Sequence, residues 1–153
     1  MRLRPVLVAL MVAAASVLAI QGTASAAPVT KQNFTLTSET EEGGTVVASG
    51  AINATGEDVV ISDTEDQFVF PDGTLTIVHA PVRGKGHFHE QQCSGTFRET
   101  GTYVISEGTG LYEGVTGSGT YRVDAHVDGC TEPPTGTLTI TARGSLNPPG
   151  SDV

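Results

Sequence analysis

The chain has 153 residues, with 17 acidic and 8 basic side chains, a net charge of −9, no tryptophan and two cysteines. A chain of that length makes one domain with a true core. Its acidic excess repels phosphate backbones and anionic lipid heads, which argues against nucleic acid and membrane surfaces as partners and favours solubility.

The first element in chain order reads as a secretory signal peptide. Arg2 and Arg4 give a positive start, Val6 to Ile20 is an uncharged apolar run, and Ala24-Ser25-Ala26 offers the small side chains of a cleavage site. The run is shorter than the ~20 residues that span a bilayer. The expectation is a signal over residues 1–26 and a single secreted β domain over 27–153, with 146–153 a frayed tail and no membrane contact after cleavage. Cys93 and Cys130 both lie in the mature part, and in an oxidising compartment two cysteines most simply pair. Closing that loop would stabilise the fold by roughly 4 kcal/mol in the chain-entropy account.

The mature part shows strand rhythm and no long helical period. Phe34 and Leu36 share a face, then Val46, Ala48 and Ile52 do the same, and residues 53–58 read as a turn. Phe68 and Phe70 lead into Pro71-Asp72-Gly73, a strong turn signal, followed by Leu75, Ile77 and His79 on one face. A long strand or bent pair is expected from His87 to Ile105, with Gly101 marking a bend or bulge within it. Tyr121, Val123, Ala125 and Val127 alternate with Thr120, Arg122, Asp124 and His126, and Leu138, Ile140 and Ala142 end the series. About eight strands with one apolar face each, and no helix to cover them, predict an all-β fold. A closed antiparallel barrel is the first solution and a two-sheet sandwich the alternative.

The most distinctive stretch is Gly108-Thr109-Gly110-Leu111-Tyr112-Glu113-Gly114-Val115-Thr116-Gly117-Ser118-Gly119-Thr120-Tyr121. It lacks the spacing and the βαβ setting of a nucleotide loop, and its glycines suit tight turns and close backbone packing. With the flanking strands, over roughly Ser94 to Val127, it resembles the allene oxide cyclase-like and dirigent-like barrel superfamily, including small secreted bacterial members. That resemblance implies an eight-stranded antiparallel barrel whose lumen holds an apolar small molecule. Some members steer cyclisation of a reactive oxylipin, others phenoxy-radical coupling, and related bacterial barrels promote ring closure. It assigns no catalytic residue in this chain.

Among residues that carry chemistry, Glu99 is a carboxylate on the apolar side of its strand, beside Phe97 and Tyr103, and is the candidate general acid or base. A bulge near Gly95 or Gly101 would instead turn it outward. His87 and His89 are two apart and share a face on an unbroken strand; with Phe97 and Tyr103 they are the candidate ligand-binding residues. The His-x-His pair lacks the following glutamate of a cupin metal site, since Cys93 and Ser94 stand there, so no metal and no cofactor are expected. Gly117-Ser118-Gly119 lacks the strand-to-helix context of a hydrolase nucleophile. Arg122, Asp124 and His126 read as solvated outer surface. Two functions follow as expectations: a secreted barrel that binds a small apolar molecule or has a structural role, or a cofactor-free cyclase or isomerase using the same lumen.

Overall fold

The computed structural model describes residues 30–40, 43–130 and 135–148. The strands are β1 (Thr30–Thr40), β2 (Gly43–Gly50), β3 (Ala54–Ser62), β4 (Glu65–Phe70), β5 (Gly73–His89), β6 (Ser94–Gly108), β7 (Thr116–Asp128) and β8 (Thr135–Asn147). Each pairs antiparallel with its neighbours in sequence, and β8 returns to β1, which makes a closed eight-stranded barrel. Closure leaves no sheet edge along the staves, and inward and outward residues alternate along every strand. The leader expected at residues 1–26 lies outside the described residues.

The inward positions make one core, in which Phe34, Val46 and Leu75 are almost wholly buried. Phe34 lies 5.3 Å from Phe68 and 6.2 Å from Tyr103, ring centre to ring centre, in tilted and edge-on contacts. Tyr103 reaches across two glycines: a Cβ on Gly119 or Gly144 would come within 2.7 Å of its ring or hydroxyl. The lower end, where β1 begins and β8 ends, is plugged. Gln32 is fully buried there; its Oε1 accepts the Ile52 N–H at 2.8 Å and its Nε2 donates to the Ile52 carbonyl at 3.2 Å. The glycine-rich segment supplies the other half of the plug, a short 3-10 turn at Gly110–Tyr112 that sets Tyr112 against Phe70, 5.9 Å between ring centres.

Three local readings differ from the sequence expectation. Residues 54–58, expected as turn, begin β3; the reversal precedes them, where the Asn53 amide bonds both the N–H and the carbonyl of Gly50. Gly56 serves close packing and not a turn, because a Cβ there would sit 2.8 Å from the Phe70 ring. Residues 146 and 147, expected in the tail, are the last rungs of β8, with Leu146 buried and Asn147 paired to Thr116. Gly101 stays in register with Tyr121, and the bulge lies across from it in β5, between Pro81 and Arg83.

The upper end is open and lopsided. β4 pairs with β5 only up to Val78 and β1 with β8 only up to Leu138. Pairing among β5, β6, β7 and β8 runs on to His89, Ser94, Asp128 and Thr135, so a four-stranded sheet rises beyond the mouth. Cys93 and Cys130 are bonded at its far tip, with their Cα atoms 5.2 Å apart.

Candidate functional site

Above the aromatic layer the barrel holds a cavity of about 80 Å³ walled by Phe34, Phe68, Ile77, Val123 and Ile140. Its polar residues are Asp66, His79, Glu99 and Tyr121, contributed by β4, β5, β6 and β7. Strand parity puts them there. Asp66 lies two residues before Phe68, His79 two after Ile77, and Glu99 directly opposite Val123. A wider recess of about 210 Å³ adjoins the lumen at Leu36, Asp66, His79 and Ile140, and adds Asp58, Ser62 and Asp63 near the mouth.

The polar groups form a chain of contacts. The Tyr121 hydroxyl donates to Glu99 Oε1 at 2.7 Å. His79 stands edge-on to the Tyr121 ring, 5.7 Å between centres, and its Nε2 lies 3.3 Å from Asp66 Oδ2. Gly101 makes room for this arrangement, since a Cβ there would meet the Tyr121 ring at 2.5 Å. Burial, and then the bond to Glu99, push the Tyr121 phenol far up, so it stays a donor. Burial raises the Asp66 carboxyl while the nearby His79 opposes it. Asp58, facing inward from β3, is pushed up to about 7, chiefly by burial and further by Asp66. Among the described residues three buried side-chain polar atoms have no hydrogen-bond partner: Asp58 Oδ1, His79 Nδ1 and the Tyr103 hydroxyl.

Of the residues singled out from sequence, Glu99 and Tyr103 line this cavity. Phe97 shares their face but stands above the mouth, 40% exposed. His87 and His89 are not brought to the lumen. Their rings meet edge-on at 4.3 Å on the exposed upper sheet. The expectation counted alternate residues from them straight to Glu99, but the chain turns between. A 3-10 turn at Glu90–Gln92 and a left-handed Cys93 (φ 49°) break the parity. Gly84 and Gly86 lie against Phe97, and so Phe88 and not the two histidines takes the inner face of that strand. Outside, Arg122 makes a two-pronged contact to Asp124 at 2.6 and 2.8 Å, with Arg98 joining at 3.0 Å.

Four site residues escaped the sequence argument as site members, Tyr121 among them because it read only as an apolar-face strand residue. Asp66 was detectable, because it shares the even positions of Phe68 and Phe70. His79 was visible on the face of Leu75 and Ile77. Asp58 was hidden by the reading of its segment as a turn. Among the described residues no three His, Cys, Asp or Glu side chains are grouped to hold a metal ion. Compared with protein families, curated proteins and solved structures, the chain matches nothing.

Proposed function

We propose that the protein is an exported barrel that binds a small, mainly apolar molecule in its lumen, as a member of the allene oxide cyclase-like group. The observation that carries this reading is the asymmetry of the lumen. It is plugged below by Gln32 and Tyr112, apolar in its walls, and open above through a ring of a few polar groups. Ligand sites have that composition, apolar walls with sparse fixed polar atoms. The lumen alone is small, below the ~300 Å³ at which common ligand sites begin, so a ligand extends into the recess at the mouth. The leader-like first 26 residues and the bonded cysteine pair support export. Native mass spectrometry of protein purified from its own host tests the binding reading. A co-purifying small molecule lost from a lumen-filled variant is expected. Absence of any adduct, together with no binding across a panel of apolar compounds, counts against it.

A second reading, cofactor-free isomerisation or cyclisation in the same lumen, is favoured by one observation. Glu99 with its Tyr121 donor and Asp66 with His79 stand on one cavity wall, where protons can be taken and returned. In that case Glu99→Gln retains binding and loses turnover of the bound molecule.

A further inference from the structure

We propose that the free edge of β5, from Arg83 to His89, takes up an added strand: an extended peptide segment in which acidic and apolar side chains alternate. β4 pairs with β5 only as far as Val78, and the last backbone bond at that corner runs from the His79 N–H to the Thr64 carbonyl at 2.9 Å. Beyond it β5 continues to His89 with β6 alone beside it, and every residue from Ala80 to His89 is exposed. A strand paired on one side presents a row of unmet N–H and C=O groups, which is a template for another strand. Pro81 and the bulge between Pro81 and Arg83 close the base of this edge, since proline has no N–H to offer. The run left open is as long as an ordinary strand.

The side chains along that edge state what the added strand must carry. Arg83, Lys85, His87 and His89 take the outer face, and Gly84, Gly86 and Phe88 the inner one. Residues directly opposite share a face. Lys85 stands opposite Arg98, and Arg83 opposite Thr100, which is itself opposite Arg122. Half of the chain's eight basic side chains thus meet on one outer surface of a chain with net charge −9. The acids of that surface, Asp124 and Asp128, lie on β7, two strands in from the edge, and Asp124 is shared by Arg98 and Arg122. Among the described residues no carboxylate pairs with Arg83 or Lys85. Acidic side chains on the outer face of an added strand would supply both.

On the inner face the edge is open to apolar contact. Gly84 and Gly86 carry no side chain beside the Phe97 ring, which is 40% exposed, and Phe88 is 51% exposed. Apolar side chains of an added strand, alternating with its acidic ones, would lie beside these glycines and cover the two rings. A second copy of this chain is a poor occupant of the same edge, because β5 against β5 would set Arg83, Lys85, His87 and His89 among their own kind. Nothing about this edge depends on what the lumen binds.

The test titrates the isotopically labelled mature protein with three end-blocked octapeptides at pH 7.5 and low salt, where exposed charge pairs are least screened. One alternates glutamate and valine, one alternates lysine and valine, and the third is the glutamate–valine peptide N-methylated at every residue. The first should give saturable amide shifts over Arg83–His89, leave lumen residues such as Val123 unmoved, and bind at least tenfold more tightly than either of the others. Arg83→Glu with Lys85→Glu, two exposed substitutions, should reverse the preference towards the lysine peptide with far-UV circular dichroism unchanged. Equal binding of the acidic and basic peptides, retained binding of the N-methylated one, an unchanged preference in the variant, or no binding at all overturns the proposal. So does a dimer in sedimentation whose dissociation on dilution shifts the same β5 amides, since a second copy would then hold the edge.

Discussion

The two halves of the barrel handle polar groups in opposite ways. In the lower half Gln32 is as buried as any residue, yet both of its amide atoms are satisfied by the backbone of Ile52, and the glycine-rich turn adds Tyr112 to close the end. In the upper half Asp58 and His79 each leave a buried polar atom unpaired beside an open cavity. Satisfied polar groups fix a structure, whereas unsatisfied ones raise its free energy and await a partner. The lower half closes its polar groups on the backbone, and the upper half leaves an open cavity beside its own.

Substitutions should separate these roles, beginning with the largest effect. Phe34→Ala removes the ring on which Phe68 and Tyr103 pack, and should cost about 3–5 kcal/mol. Chemical denaturation measures it. Replacing Cys93 and Cys130 together by alanine should cost roughly 2–4 kcal/mol. Because the bond ties only the tip of the upper sheet, amide exchange should accelerate there and stay slow at the plug. Uniform acceleration would show that the two halves do not open separately. Gln32→Ala strands the Ile52 N–H and carbonyl and should cost ~1–3 kcal/mol.

The upper half predicts a pH effect of definite sign. Burial holds the Asp58 pKa at about 7 in the folded protein, well above the ~3.9 of an unfolded chain. Between those values the native state keeps a proton that the unfolded state releases. Stability is thus fullest below about pH 4 as far as this group is concerned, and falls as pH rises towards 7. For a half-buried group, discounted for solvent screening, the loss is about 1 kcal/mol, or a melting point lower by roughly 3–6 °C. Thermal melts at pH 5 and pH 8 should show this fall, and Asp58→Asn should reduce it. A fall of the same size in the variant would assign the effect to other groups. The smallest change is expected from Glu99→Gln, which keeps the shape of the Tyr121 contact and should leave stability within about 0.5 kcal/mol.

The sequence was most legible where strands run unbroken. From Gly95 to Ile105 the odd positions face inward without a slip, so Glu99 and Tyr103 are in the lumen as parity requires. The same rule failed for His87 and His89 because a tight turn at Glu90–Gln92 and a left-handed Cys93 stand between them and Glu99, and no residue type there is unique to a turn. Phe97 obeys parity and still stands clear of the cavity, since which strands outlast their neighbours depends on pairing partners far along the chain. Asp58 was lost to an ambiguity of glycine: in Gly56 it marks close approach by Phe70, and the same residue in a short polar segment reads as a turn.

That the upper cavity receives a small molecule is tested most directly by following the amide resonances of the isotopically labelled mature protein during titration with n-hexanol. Saturable shifts should concentrate at lumen residues such as Ile77, Tyr103, Val123 and Ala142, leave Gln32 and Tyr112 in the plug unmoved, and disappear when Ala142→Leu fills the space. Shifts confined to Phe88 and Val127 on the raised sheet, or persisting unchanged in that filled variant, would contradict a lumenal site.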